Sequence, residues 1–434
     1  MAEIISKKLG KFSNGAQVNP KNRFYIHTLG CKVNQYESQA MREILLREGF
    51  EESLSKEATD IYIINTCTVT HHADKESRYF AGMFHRTNPN AKIVIAGCYA
   101  ERNADEISAL PGVTHIVKNA DKASIADILG ETRSPKPVTR ETDCLSITDF
   151  KDRTKAFVKI QDGCENHCSY CKVPLVRGGL RSKPLDKVIE EIKVLLSHGF
   201  KELVFTGICL GAWGKDISPL GNLVDVLRAI EKIKGDFRIR LSSIEPKYVT
   251  DELIKFISES KKICRHLHIP LQSGDDEILK SMNRPYTTGD YRALTEKLKN
   301  AIPDIAISTD IMVGFPGETE KHFRNTLNFV KAISLARIHI FTFSKRDGVA
   351  ASDMPGEVSE GVSKKWYLAL KAAALEASYV YRSRFIGKNV KVLVEAKRDK
   401  KSGLLTGYSD NYIKVLFAGD DALMKRIVSV EVKP

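Results

Sequence analysis

The stretch AFVKIQDGCENHCSYCKVPLVRGG, residues 156–179, joins an apolar segment to three closely spaced cysteines. Alternating apolar and polar residues in AFVKIQ predict a β-strand. The cysteines follow this strand with the spacing C-x3-C-x2-C, at Cys164, Cys168 and Cys171. The loop at the end of the strand therefore carries three thiols, and the next cysteine downstream is Cys209.

Three neighbouring thiols favour one class of metal site over another. A structural zinc site uses four ligands, usually arranged as two pairs. Iron–sulfur clusters are also held by thiolates, normally four of them, so three protein ligands leave one iron of a four-iron cluster open. The triplet follows the first strand of a βα series, on the side where barrel active sites gather. We therefore expect a cluster with one open iron.

Downstream of this loop, strand-like and helix-like segments alternate for six units. The predicted strands are AFVKIQ, ELVFTG, FRIRLSS, RHLHIP, IAISTDIMVG and RIHIFTF. Six consecutive βα units favour a partial (βα)6 barrel over a second doubly wound sheet. We assign this central domain to residues 150–378.

Upstream, residues 22–140 show a β-α-β-α pattern that predicts an α/β domain with a parallel sheet between helices. Cys31 follows RFYIHT, Cys67 follows DIYIINT, and Cys98 follows KIVIAG. The carboxyl ends of parallel strands meet at one sheet edge, where ligands bind. These cysteines therefore predict a second site of three thiolates. A polar, proline-bearing linker, GETRSPKPVTRETD, follows this domain.

Other polar residues and cysteines receive structural explanations. Cys144 lies in the linker region, and Cys209 and Cys264 lie in strand or loop contexts without a shared offset. We expect these three cysteines to be structural. Asn34 and Glu37 are expected to cap the helix that follows Cys31.

The C-terminal residues 380–434 consist of short β-like runs with Gly and Asp turns, which predict a small β-barrel. Residues 381–434 contain 12 Lys and Arg against six Asp and Glu, and the whole chain has a net charge of +13. Such a basic β module is typical of single-strand or RNA binding. A lysine-rich solvated surface is the alternative explanation.

The remaining composition favours a cytoplasmic enzyme. The apolar runs are too short to span a membrane, and the N-terminus lacks the apolar region of a secretory signal. We therefore expect no membrane partner. The nine cysteines are not expected to form structural disulfides, because cytoplasmic thiols stay reduced.

Several motifs together resemble one enzyme family. They are TLGCKVNQYES, NTCTVT, AGCYAE, the cysteine triplet with Tyr170 before its last member, and HIPLQSGDDEILKSMNRPYT. The chain resembles the radical S-adenosylmethionine methylthiotransferases, whose C-terminal β-barrel is called the TRAM domain. TLGCKVNQYES, RLSSIEP and FTGICLGAWGKD are most similar to the branch that modifies N6-threonylcarbamoyladenosine in tRNA.

The resemblance implies two [4Fe-4S] clusters and S-adenosylmethionine as cofactors. The cluster on Cys164, Cys168 and Cys171 would generate a 5′-deoxyadenosyl radical that takes hydrogen from C2 of adenosine 37. The cluster on Cys31, Cys67 and Cys98 would offer its open iron to the inserted sulfur, giving the 2-methylthio product. The implied partners are tRNA and a low-potential electron donor of the flavodoxin or ferredoxin type.

The resemblance also suggests further cofactor contacts, which are Tyr170, Gln272, Ser273, Gly314, Gly317 and Glu318. For the last three a tight strand–helix turn is an equal alternative. Arg284 and Tyr286 are equally well explained as helix-end and packing residues. The chain departs from the family where an arginine-dense run is expected: VRGGLRSK keeps Arg177 and Arg181 but has a glycine in place of one arginine.

Two alternatives remain at this point. The same reaction can act on isopentenyladenosine or on an aspartate of a ribosomal protein. An iron–sulfur protein that binds RNA or transfers electrons without radical chemistry would also explain the clusters and the basic tail. It would not explain a cysteine triplet at the end of the first of six βα units.

Overall fold

A computed structural model describes residues 23–57, 59–68, 71–130, 144–217, 219 and 221–433. The predicted linker falls mainly on residues 131–143, outside the described residues. In the part of the chain that is described, no helix has both the length and the apolar character needed to cross a membrane.

The N-terminal domain is a five-stranded parallel sheet with the order β2-β1-β3-β4-β5. Its strands are β1 (Arg23–Thr28), β2 (Glu51–Glu52), β3 (Ile61–Thr66), β4 (Lys92–Gly97) and β5 (Val113–Val117). Its helices are α1 (Lys32–Arg47), α2 (His71–Thr87), α3 (Ala104–Ser108) and α4 (Ile125–Leu129). Separate apolar clusters on the two faces of the sheet give the predicted αβα layers.

The central domain contains the six predicted parallel strands. They are β6 (Ala156–Lys159), β9 (Glu202–Thr206), β10 (Arg238–Leu241), β11 (His266–His268), β12 (Ala306–Val313) and β13 (Arg337–Thr342), and a short antiparallel pair, β7 (Gln161–Asp162) and β8 (Arg181–Ser182), flanks the first of them. The strands form two half-sheets, β10-β9-β6 and β11-β12-β13, joined by a parallel bridge between Ser243 and His268. This arrangement confirms the predicted partial barrel.

Helices cover the outside of the partial barrel. They are α5 (Val173–Arg177), α6 (Leu185–Ser197), α7 (Leu223–Glu231), α8 (Asp251–Glu259), α9 (Asp276–Ser281), α10 (Thr288–Ala301), α11 (Glu320–Ile333) and α12 (Glu360–Ser383). Side chains alternate along each strand, so every second residue faces these helices. The residues facing them are apolar and form the largest buried cluster, which includes Leu203, Leu241, Leu267 and Ile307.

The C-terminal module is a four-stranded antiparallel sheet with the order β16-β15-β14-β17. Its strands are β14 (Asn389–Val394), β15 (Leu405–Ser409), β16 (Lys414–Phe417) and β17 (Ile427–Glu431). Arg238 and Arg240 of β10 attach the module, because their guanidinium groups donate to backbone carbonyls of Lys391, Tyr408, Ser409 and Asp410. The predicted β module is therefore docked directly on the barrel.

Candidate active site

The loops after β1, β3 and β4 converge and bring Cys31, Cys67 and Cys98 together. The Cys98 N–H donates to the Thr66 carbonyl at 3.2 Å, which ties two of the loops to each other. Gly30 lies against Cys67, and a Cβ atom at Gly30 would stand 2.9 Å from the Cys67 Sγ. Gly30 also has a φ of +90°, which favours glycine. The loops thus form a crowded pocket edge with three thiols.

The second trio of thiols belongs to one loop, which is held at several points. The Cys164 N–H donates to the Gly178 carbonyl at 3.0 Å, and the Cys171 N–H donates to the Cys168 carbonyl at 3.0 Å. A Cβ atom on Gly163 would stand 1.8 Å from the Gly179 carbonyl oxygen, so this crossing needs glycine at residue 163. The glycine-containing run VRGG therefore closes the cluster loop in this chain.

Both trios of thiols fit an iron–sulfur cluster better than a single metal ion. Among the described residues, no three His, Cys, Asp or Glu side chains surround one point closely enough to hold one ion. All six cysteines are free thiols. Cluster thiolates bind separate irons at different corners, so they stand farther apart than the ligands of one zinc ion. The donor chemistry and spacing of both trios suit that arrangement.

Arg177 connects the two trios of thiols. It ends α5, the short helix that begins just after Cys171, and its Nε lies 3.2 Å from the Sγ of Cys98. Six residues separate Cys171 from Arg177, which in a helix corresponds to about 9 Å. The loop that carries one trio therefore donates a charged hydrogen bond to a thiol of the other.

A buried group of charges surrounds Arg177. Its guanidinium group binds the carboxylates of Glu37 and Asp162, and Lys122 and Lys159 also pair with Glu37. Burial opposes ionisation of Glu37, but Arg177, Lys122 and Lys159 hold its pKa well below the ordinary value. Burial likewise opposes ionisation of Asp162, and Lys159 and Arg177 overcome it and lower the pKa of Asp162 to about 2. Both carboxylates are therefore ionised, and they balance the cations that face the thiols.

The helix-capping expectation for Asn34 and Glu37 is wrong. Cys31 occupies the N-cap of α1 without a side-chain capping bond. Asn34 is buried, and its amide donates to the carbonyls of Leu29 and Thr66 while its oxygen accepts from Arg177. Packing of α1 against the barrel turns both side chains inward, where they hold the cysteine loops and Arg177.

Arg284 has a corresponding position beside the other trio. Its Nη1 lies 3.0 Å from the Sγ of Cys168, and its Nε donates to the Tyr286 hydroxyl at 2.9 Å. Glu245 accepts from the same guanidinium group. The Tyr286 hydroxyl donates to the carbonyls of Pro270 and Leu271 at 3.0 Å. Arg284 and Tyr286 thus link the cluster loop to the segment after β11 and are more than helix-end residues.

Cys209 is closer to the site than the sequence suggested. Asn166 contacts both thiols: its N–H lies 3.4 Å from the Cys164 Sγ, and its Nδ2 lies 3.8 Å from the Cys209 Sγ. The hydrogen bond from Cys209 lowers the pKa of Cys164 to about 7. Burial is the main reason that the pKa of Cys171 is raised to about 12. Cys264, in contrast, is fully buried beneath the barrel, as expected for a structural residue.

The other predicted cofactor contacts near the barrel rim have mixed surroundings. Tyr170 packs beside the apolar cluster of Ile278, Met282, Phe315 and Ala351. Gln272 has a φ of +74° and pairs through its backbone with β12. Ser273 is fully buried, and its hydroxyl lies 3.3 Å from that of Thr326 on α11. These contacts give Ser273 a packing role, and its cofactor role stays a prediction without support from them.

The loop Gly314–Glu318 is a tight turn closed by its own carboxylate. Glu318 accepts from the N–H groups of Gly314 and Phe315, at 2.6 and 3.2 Å. Its other oxygen, Oε1, is buried and lacks a partner among the described residues. Burial raises the pKa of Glu318 to about 7. Gly317 donates to the Gly356 carbonyl. The turn explanation is therefore met, and the cofactor contacts of these three residues stay predictions.

Sequence patterns alone missed Asp162, Lys122, Lys159 and Glu245 as parts of the site. Asp162 lies beside the cysteine triplet, and Glu245 lies in RLSSIEP, so both adjoin motifs that the sequence makes visible. Their roles depend on partners far along the chain. A charged residue next to a metal-binding cysteine was the one available signal.

Comparisons with known proteins agree with this architecture. Residues 158–330 match the family described as the radical SAM superfamily, and residues 23–118 match the one described as uncharacterized protein family UPF0004. A threonylcarbamoyladenosine tRNA methylthiotransferase, MtaB of Bacillus subtilis, is 38% identical over 94% of this chain and 92% of its own. The chain belongs to the radical SAM methylthiotransferase family.

Other members of this methylthiotransferase family are also similar over nearly the whole chain. MtaB of Thermotoga maritima is 40% identical over 91% of each chain. A tRNA-2-methylthio-N(6)-dimethylallyladenosine synthase of Clostridium novyi is 35% identical over 95% of each chain. Among solved structures, the radical S-adenosylmethionine methyltransferase TsrM from Kitasatospora setae matches with a TM-score of 0.57 and 15% identity. That match covers 76% of this chain and 77% of TsrM, and it shows the fold alone.

Membership of the radical SAM superfamily implies S-adenosylmethionine and a [4Fe-4S] cluster as cofactors. The matched region, residues 158–330, contains the triplet Cys164, Cys168 and Cys171. The residues described above fit such a cluster in their donor chemistry and in the convergence of their loops.

Proposed function

We propose that the protein is a tRNA methylthiotransferase that converts N6-threonylcarbamoyladenosine at position 37 into its 2-methylthio derivative. The observation that carries this proposal is the link between the trios: Arg177, six residues beyond Cys171, donates to Cys98. Two cluster sites held against each other suit a reaction that activates a carbon and delivers sulfur to it. The relatives named MtaB, at 38% and 40% identity, support the threonylcarbamoyl substrate.

In this proposal each trio of thiols has its own task. Cys164, Cys168 and Cys171 would hold the radical cluster, and Cys31, Cys67 and Cys98 would hold a second [4Fe-4S] cluster. When bound, the cofactors supply a 5′-deoxyadenosyl radical, a sulfur atom and a methyl group for carbon 2 of the base.

The protein's own groups position and insulate these sites. Arg177 and Arg284 place positive charge and N–H donors against thiolate sulfur, which stabilises the negatively charged cluster. The buried carboxylates Glu37 and Asp162 fix Arg177 in place. The flanking domain and the C-terminal sheet would bind tRNA through their basic surface in the cytoplasm, and a flavodoxin or ferredoxin type of donor would supply electrons.

A direct experiment tests the proposal. Anaerobically reconstituted protein is mixed with S-adenosylmethionine, dithionite and an anticodon stem–loop that carries threonylcarbamoyladenosine. We expect 5′-deoxyadenosine and a 2-methylthio nucleoside by mass spectrometry. Product on a prenylated stem–loop alone would assign the chain to the dimethylallyladenosine reaction instead. Absence of 5′-deoxyadenosine would contradict radical chemistry altogether.

A further inference from the structure

The inside of the partial barrel is polar. The register of β9 with β10 and of β11 with β12 and β13 places alternate residues on the side opposite the helices. On this side Arg240 pairs with Glu202, His268 pairs with Asp310, and Ser308 lies 3.0 Å from both His266 and His268; the set is completed by His339. The interior therefore consists of paired charges and neutral polar groups.

A cavity of about 610 Å³ opens from this interior beside β13, α12 and the C-terminal sheet. Its charged lining is entirely basic: Arg337, Lys371, Arg382 and Lys414. His266 also lines it and is buried, and its Nδ1 lacks a hydrogen-bond partner among the described residues. A buried nitrogen without a partner and a basic lining are features that suit a negatively charged, hydrogen-bonding ligand.

Lys32 stands between this cavity and the cysteines. It is the first residue of α1 and directly follows Cys31. Its side chain is open to solvent, and within the described ranges it makes neither a hydrogen bond nor an ion pair. Hydrogen bonds from Lys159 to Glu37 and from Arg153 to Gln35 fix the first turns of α1 against β6. The free ammonium group therefore projects from a helix whose position is fixed.

The electrostatic neighbours of Lys32 place it over the barrel interior. Lys32 lies in a concave part of the surface, and desolvation there, followed by the charges of Arg240 and Lys155, lowers its pKa. After burial and nearer charges, Lys32 in turn lowers the pKa of His266 and His339. Arg240 belongs to one half-sheet, and the two histidines belong to the other. A solvent-accessible cation that reaches both halves of an open barrel faces the opening between them.

The proposed substrate carries a matching charge. The threonylcarbamoyl group on N6 ends in a carboxylate several bonds away from the reacting carbon 2. A group that recognises this carboxylate must lie in the same chamber as the thiols without being one of the cluster ligands. Lys32 meets this condition, since it adjoins Cys31 and has no partner of its own among the described residues.

Resting on the proposed function, we propose that Lys32 binds the carboxylate of the threonylcarbamoyl substituent and selects it over an apolar N6 substituent. The basic cavity beyond Lys32 receives the polar end of the substituent. The Lys32 ammonium group donates to the carboxylate, and a prenyl group in the same place leaves that ammonium group unpaired. Lys32 is thus a specificity-determining residue.

The test compares three stem–loops of the same sequence, carrying threonylcarbamoyladenosine, its methyl ester or isopentenyladenosine. Binding to the reconstituted protein is measured by fluorescence anisotropy without reductant, so that no turnover occurs. We expect the wild type to bind the acid about tenfold more tightly than the ester, as one charged hydrogen bond provides. Lys32→Gln should remove this preference, and Lys32→Arg should retain most of it.

Controls separate a carboxylate contact from other roles. Iron and sulfide content checks that the Lys32 variants keep their clusters. Lys75→Gln, an exposed lysine on α2, should leave the ratio of acid to ester binding unchanged. Equal weakening of acid and ester binding by Lys32→Gln would indicate a phosphate contact and overturn the inference.

The outcome also separates this inference from the proposed function. If the wild type forms the 2-methylthio product on the acid stem–loop, and Lys32→Gln keeps the acid-to-ester ratio, the role of Lys32 fails alone. If the wild type modifies the isopentenyl stem–loop and not the acid, the proposed substrate is wrong, and the role of Lys32 fails with it.

Discussion

The two trios of thiols are built in opposite ways. Cys164, Cys168 and Cys171 belong to one loop of eight residues, so their spacing is fixed locally. Cys31, Cys67 and Cys98 come from three loops at one sheet edge, which are held together by backbone hydrogen bonds. Each trio nevertheless has one arginine on one sulfur, Arg284 on Cys168 and Arg177 on Cys98. The comparison teaches that a local motif and a tertiary assembly can produce the same kind of site.

The largest expected effect comes from removing one thiol from each trio. Cys168→Ala should abolish both 5′-deoxyadenosine and the methylthio product, because the radical cluster loses a ligand. Cys31→Ala should keep cleavage of S-adenosylmethionine and abolish only the product. Both are measured by chromatography and mass spectrometry of anaerobic reactions. Equal loss of cleavage in the two variants would show that the trios do not work separately.

The next largest effect concerns the arginine of the tertiary trio. Arg177→Gln leaves Glu37 and Asp162 without their shared cation in a buried place, which typically destabilises by about 3 kcal/mol. We expect a correspondingly lower urea stability of the cluster-free chain and less iron bound per chain.

The matched control for Arg177 is Arg181→Gln, since the Arg181 side chain is 53% exposed and lies 3.6 Å from the same Asp162. Such an exposed pair is worth at most about 1 kcal/mol. Similar stabilities of the two variants would mean that the buried charges around Arg177 do not hold the domains together.

A smaller effect is expected at the local trio. Arg284→Lys keeps the positive charge but loses the planar group that reaches Cys168, Tyr286 and Glu245 together. Fewer hydrogen bonds to sulfur lower a cluster's reduction potential, here by roughly 50 mV. The potential is measured by redox titration with electron paramagnetic resonance. Arg265→Lys, an exposed residue, is the control and should leave the potential unchanged; an unchanged potential in Arg284→Lys itself would refute the role of its hydrogen bond.

The smallest effect concerns RNA binding, which the sulfur-inserting step requires and the cleavage step at the local trio does not. Lys400 and Lys401 are exposed in the C-terminal module. Changing both to Gln should make stem–loop affinity less dependent on salt, by about one unit of slope for each lysine that neutralises a phosphate. Product formation should fall at low RNA concentration, while cleavage of S-adenosylmethionine without RNA stays unchanged. An unaltered salt slope would return this basic surface to ordinary solvation.

The sequence by itself determined the six cluster cysteines, the parallel sheet and the six-stranded barrel. Strand periodicity and the position of each cysteine after a strand are local properties, and parallel strands must end at one edge. Tertiary structure alone decided what surrounds the thiols. Arg177 and Cys98 are 79 residues apart, and Arg284 and Cys168 are 116 apart. Asn34 and Glu37 fit the local pattern of a helix cap, but packing of α1 against the barrel buried them. Partners of buried charges depend on which distant elements meet, and no local pattern records that.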